Sequence, residues 1–122
     1  MKGIMADQRY ADISWEGDSK EVLSGFPVEV KETLGYSLRR IQGGMLPACD
    51  CRPMTSVGMR VWELKTQDSA TWYRIMYLTK IGNVVYVLHA FEKATPKTSQ
   101  NDIHTAKSRL KEVQLRLRES RR

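Results

Sequence analysis

Six side chains in the second half of the chain have types and spacings that point to chemistry on a polyanion: Glu63, Lys65, Arg74, His89, Lys93 and Lys97. Trp72 stands two residues before Arg74, and Phe91 two after His89. In an extended strand, residues two apart share a face. If Met59–Lys65, Thr71–Thr79 and Val84–Glu92 are strands, one face carries Glu63, Lys65, Arg74, His89 and Lys93, interleaved with Trp72, Met76 and Phe91. A core is not built this way, because buried charge is costly unless paired. An open basic concavity with aromatic walls suits a nucleic-acid backbone and an unstacked base. A plainer reading stands beside it, in which Arg74 pairs with Glu63 across the strands and His89 is a hydrogen-bonded sheet residue. Everything depends on register, since a one-residue slip sends each side chain to the other face.

The elements that must position these residues follow from pattern. The opposite face of the same strands is almost wholly apolar, with Trp62, Leu64, Tyr73, Ile75, Tyr77, Tyr86, Leu88 and Ala90, and should pack on helices. Arg9–Ile13 reads as a short first strand ending at Trp15-Glu16-Gly17. Asp18 and Glu21 form a capping box for a helix over Ser19–Ser24, broken at Gly25. Pro27 opens a second helix whose Val30, Leu34, Leu38 and Ile41 share a face, and Gly43-Gly44 ends it. Met45–Gly58, with Pro47 and Pro53, reads as a loop. Lys80-Ile81-Gly82-Asn83 makes a hairpin turn. Ser99 caps a last helix, with Asp102 in the box position, on which Ile103, Ala106, Leu110, Val113 and Leu117 form an apolar stripe. The order β–α–α–β–β–β–α predicts an α+β fold: a small antiparallel sheet of about four strands, two N-terminal helices and a C-terminal helix.

Length and composition bound the rest. A chain of 122 residues, 41% hydrophobic and 28% charged, fits one domain over 1–122 with its own core and needs neither disulfide nor structural metal. Disordered, collagenous and disulfide-scaffold classes are excluded. No apolar run approaches the roughly 20 residues of a membrane span, and the start of the chain has no signal-peptide core, so a cytoplasmic location without membrane contact is expected. Cys49 and Cys51 are two apart, where a bridge is strained, and two thiols do not complete a zinc site; they read as reduced loop cysteines. The net charge is +6. Residues 1–51 carry six basic and eight acidic side chains, whereas 52–97 and 98–122 each carry seven basic and three acidic. That asymmetry points to nucleic acid or an acidic protein as partner.

The strand motifs Arg60-Val-Trp-Glu-Leu-Lys65, Trp72-Tyr-Arg-Ile-Met-Tyr77 and Val85-Tyr-Val-Leu-His-Ala-Phe-Glu-Lys93, followed by Thr95-Pro-Lys97-Thr98 and Asp102-Ile-His-Thr-Ala106, resemble the RelE/ParE toxin superfamily. The nearest likeness is to the HigB-like, phage-derived toxins of type II toxin–antitoxin systems, over about residues 9–118. Two departures stand out: Ala94 where a second lysine is usual, which removes one cation, and Ser99 where a proline is usual. His104, on the last helix, reads as a surface residue.

The resemblance implies a metal-independent endoribonuclease acting on mRNA, associated with the ribosome, without a cofactor, and neutralised by an antitoxin of helix-turn-helix type. In such chemistry the 2′-OH attacks the adjacent phosphate and the 5′-oxygen leaves, which needs a base, an acid and cations. Carried onto this chain, Arg74 is the phosphate clamp, Lys93 and Lys65 supply charge or proton transfer, and Glu63 or His89 is the base. Arg60, Lys97, Trp72 and Phe91 are the expected substrate contacts. Two other functions share the features: a ParE-like inhibitor of DNA gyrase, and a phage-derived nucleic-acid-binding protein without catalysis.

Overall fold

A computed structural model describes residues 10–95 and 97–121. The strands are β1 (Asp12–Trp15), β2 (Asp50–Pro53), β3 (Val61–Gln67), β4 (Trp72–Ile81) and β5 (Val84–Lys93); the helices are α1 (Ser19–Ser24), α2 (Val28–Gln42) and α3 (Gln100–Glu119). The α+β class and the two-plus-one helix arrangement are as the patterns predict. The sheet has five strands in the order β1-β5-β4-β3-β2. It is mixed rather than purely antiparallel, because β1 runs parallel to β5. The fifth strand, β2, lies in the segment read as a loop; it pairs antiparallel with β3 and ends at Pro53, which an edge strand tolerates. β1 extends to Trp15, and Arg9 lies outside the described residues.

The stripe of α2 buries Val30, Leu34 and Leu38 against Leu64, Tyr73, Ile75 and Tyr77, with Ile41 and Trp62 half-buried at the margin. The opposite face is not open along its length, as alternation alone implied. Ala106, Leu110 and Val113 of α3 bury a second cluster with Val61, Met76, Leu78, Tyr86, Leu88 and Phe91. Hence Met76 and Phe91, expected in the concavity, are core.

A bulge explains why Tyr86 and Leu88 are also on the α3 face. Met76 pairs with His89, but Tyr77 pairs with Val87, so Leu88 is the extra residue. Before the bulge, Val85 and Val87 face α2; after it, Ala90 does. His89 and Phe91 keep the expected face, whereas the residues before the bulge are inverted.

Candidate functional site

The site occupies the end of the α3-side sheet face beyond the apolar cluster. Register places Arg52 opposite Glu63 and Lys65 opposite Arg74. It places Arg74 opposite Phe91 and Trp72 opposite Lys93. Four strands therefore contribute to one polar patch, with a concavity of about 240 Å³ lined by Asp50, Cys51, Arg52, Glu63 and Lys65.

At its centre Arg74 and Glu63 are both 0% exposed. Arg74 Nη1 lies 3.4 Å from both carboxylate oxygens of Glu63. It also donates to Thr98 Oγ1 at 2.5 Å, while Nη2 donates to the Thr95 carbonyl at 3.4 Å. Thr98 Oγ1 in turn donates to Glu63 Oε2 at 3.2 Å. Arg52 Nε donates to Glu63 Oε1 at 3.1 Å from a half-exposed position. The connection between β5 and α3 thus closes over the guanidinium. Arg74 does not stand open in a concavity; the cross-strand ion pair with Glu63 is what the structure contains.

A second network lies at the start of α3. Asp102 Oδ1 is 2.8 Å from His89 Nε2, and Oδ2 is 2.9 Å from Lys93 Nζ. Ser99 Oγ donates to the same Oδ2 at 2.6 Å and accepts from the Asp102 amide at 3.2 Å, so Ser99 caps α3 as expected. Arg109 Nη1 sits 3.4 Å from His89 Nδ1. A guanidinium only donates, so Nδ1 carries the lone pair and Nε2–H faces Asp102. Burial pulls the His89 pKa down, and the opposing bond to Asp102 and its charge do not recover it. For Asp102 burial pushes upward, yet the hydrogen bonds from Ser99, His89 and Lys93 win and hold its carboxyl below the usual range. With both ring nitrogens engaged and Phe91 stacked at 4.8 Å, His89 is not disposed as a free base.

The same Arg109 donates to the Leu88 carbonyl released by the bulge, at 3.0 Å, and to Asp18 Oδ1 at 2.9 Å. Asp18 was expected to cap α1; its side chain makes no cap hydrogen bond there and anchors α3 instead. Gly17, at φ +53°, leaves the room: a Cβ there would come within 2.4 Å of the guanidinium.

The remaining residues sort as follows. Lys65 is half-buried with its ammonium 4.8 Å from the centre of the Trp72 ring. Lys97 is exposed beside Thr98, and Ala94 is exposed just past β5. Arg60 is not gathered in: it lies before β3 at φ +70°, at the opposite end of that strand from Lys65. Phe91 is 6% exposed and cannot offer its face to a base as it stands. Pattern reading missed Arg52, Thr98 and Asp102. Arg52 sits on a four-residue strand, too short to show alternation, and Asp102 was read only as part of a cap. The cysteines are unbridged, as expected: Ser37 Oγ donates to Cys49 at 3.3 Å, and Cys51 lies 3.4 Å from the Tyr77 hydroxyl. Burial pushes the Cys51 thiol up, away from reactivity. Among the described residues no helix is long and apolar enough to cross a membrane.

The fold and patch together define a small α+β protein with a cationic, aromatic-edged end on a helix-backed sheet. The chain belongs to the family described as Phage derived protein Gp49-like (DUF891), whose model matches residues 21–111. No curated protein matches it. The matched span includes α2, the whole of β2 to β5 and the opening half of α3, and so covers every residue of both networks except Asp18.

Proposed function

We propose that this protein is the toxin of a toxin–antitoxin pair and that it cleaves mRNA without a metal, its partner being an antitoxin that covers the basic patch. The observation that carries the reading is the convergence of Arg52, Lys65 and Lys93 with Trp72 around the buried Arg74–Glu63 pair. Membership of the Gp49-like family, which is toxin-like and of the RelE/HigB type, supports it.

In this reading the RNA backbone lies across the patch, with Lys65, Lys93, Lys97 and Arg52 meeting phosphate oxygens and Trp72 stacking on a base. The 2′-oxygen forms a bond to its 3′-phosphorus as the bond from phosphorus to the 5′-oxygen breaks. The 2′ proton passes to a base, and the 5′-oxygen takes a proton from an acid. Both products carry defined ends: a 2′,3′-cyclic phosphate and a 5′-hydroxyl. Lys65, which belongs to neither carboxylate network, is the group best placed for proton transfer, and Lys93, held on Asp102, for charge, because Glu63 and His89 are occupied within the protein. Arg74 reaches a phosphate when Thr98 gives up its hydrogen bond; until then it is the fixed charge under the patch. Purified protein incubated with mRNA in chelator, with and without ribosomes, tests the proposal. Cyclic-phosphate ends are expected, and intact RNA in both conditions contradicts it.

One observation favours a second reading. Arg74 and Lys93 are already neutralised by Glu63 and Asp102. A protein partner such as DNA gyrase, bound without catalysis, asks less of those cations.

A further inference from the structure

We propose that Asp102 is a positioning residue for the basic patch: its carboxylate fixes Lys93 through one oxygen and His89 through the other, and so couples the patch to the docking of α3. The inference rests on the proposed function in taking Lys93 as a working cation.

The contacts are specific to this carboxylate. Asp102 comes from the first turn of α3, whereas Lys93 and His89 come from β5. Its two oxygens receive three donors, from His89, Lys93 and Ser99. An exposed lysine–aspartate pair contributes little, because two long chains must be ordered to make it. Here the carboxylate is already buried and held by Ser99 and His89, so only Lys93 remains to be ordered. Lys97, four residues on, shows the contrast: it is exposed, and among the described residues it makes no ion pair.

His89 is the second arm. Arg109 and Asp102 approach its two nitrogens from opposite sides, and Asp18 completes the charged surroundings through Arg109. The ring therefore holds Asp102 in place rather than serving the substrate. The Ser99 cap engages one carboxylate oxygen and the backbone amide of Asp102, and the contacts to His89 and Lys93 are additional to it. Displacing α3 would take the carboxylate away from Lys93 and His89 on β5, which gives a partner that binds α3 a direct hold on the site.

The test compares wild type, Asp102→Asn, Lys93→Met and the double variant. Nitrogen-15 NMR of the His89 ring and the Lys93 ammonium is read first, because it does not depend on activity. The expected result in Asp102→Asn is a mixture of His89 tautomers in place of the single Nε2–H form, and loss of the slowly exchanging Lys93 ammonium signal. Cleavage of a defined RNA should fall at least tenfold in kcat with KM within about twofold, and the double variant should be no worse than Lys93→Met. An unchanged His89 tautomer and Lys93 signal in Asp102→Asn overturns the positioning role, as does a double variant whose losses multiply. If wild type leaves RNA intact, the nuclease reading fails by itself, and the NMR comparison still decides whether Asp102 holds both groups.

Discussion

Arg74 and Glu63 meet at 3.4 Å on neighbouring strands with no exposure to solvent, and the pair forms the floor of the basic patch. Removing one partner of a buried ion pair leaves a charge uncompensated. Arg74→Met should therefore destabilise the fold by about 3–5 kcal/mol, and Glu63→Leu by a comparable amount. The double variant Glu63→Leu/Arg74→Met should be more stable than either single one. Urea unfolding of the three proteins checks this, and additive losses would show that the two residues act independently.

That coupling makes Arg74 a poor first probe of activity, because loss of fold and loss of chemistry coincide. Lys65 is better. It is half-buried on Trp72 and belongs to neither carboxylate network. Lys65→Ala should leave the unfolding midpoint nearly unchanged. A lost charged hydrogen bond to phosphate contributes about 1.5–3 kcal/mol, which corresponds to roughly a 10- to 150-fold fall in cleavage rate. Rate assays and urea unfolding on the same preparation separate the two effects.

The acid limb of stability should have two origins. His89 is held below its ordinary pKa mainly by burial, so the unfolded chain takes up its proton first, and stability falls as the pH drops below about 6.5. Asp102 is held below the carboxylate range by its three donors against the pull of burial. Its contribution is fully present above about pH 4 and is lost as the pH falls through its lower folded value. Unfolding midpoints from pH 8 to pH 3 should show both declines. His89→Gln should flatten the first and Asp102→Asn the second.

Gly17 and Arg109 make a separate prediction. A Cβ at residue 17 would meet the guanidinium, and the backbone there has positive φ. Gly17→Ala should lower stability by about 1–3 kcal/mol, from the left-handed backbone together with the displaced arginine. In Arg109→Ala the loss from the same glycine change should be smaller, since the clash is gone. A double-mutant cycle by urea unfolding measures the difference.

Much of this was legible from the residues. Alternation placed Glu63, Lys65, Trp72, Arg74, His89 and Lys93 on one face. Three physical effects lay beyond pattern. The bulge at Leu88 breaks period two within an unbroken apolar run, so Val85 to Leu88 look the same whichever face they take. The stripe on α3 announces a buried helix but not which sheet face it covers, and it took Met76 and Phe91 out of the concavity. Local spacing cannot reveal long-range pairing, so Asp18 looked like a cap, Asp102 like part of one, and Arg52 like a loop residue. Each instead finds its partner across the fold, at Arg109, His89 with Lys93, and Glu63.

The most direct measurement is induced expression of the wild type and of Lys65→Ala at matched protein levels, with the 5′ ends of cellular mRNA mapped in both. Growth arrest with new internal mRNA ends bearing 5′-hydroxyls, both sharply reduced in Lys65→Ala, is the predicted result. Arrest with intact mRNA would contradict the nuclease and move the target to a protein such as DNA gyrase. Ends that persist undiminished in Lys65→Ala would show that cleavage does not arise at this patch.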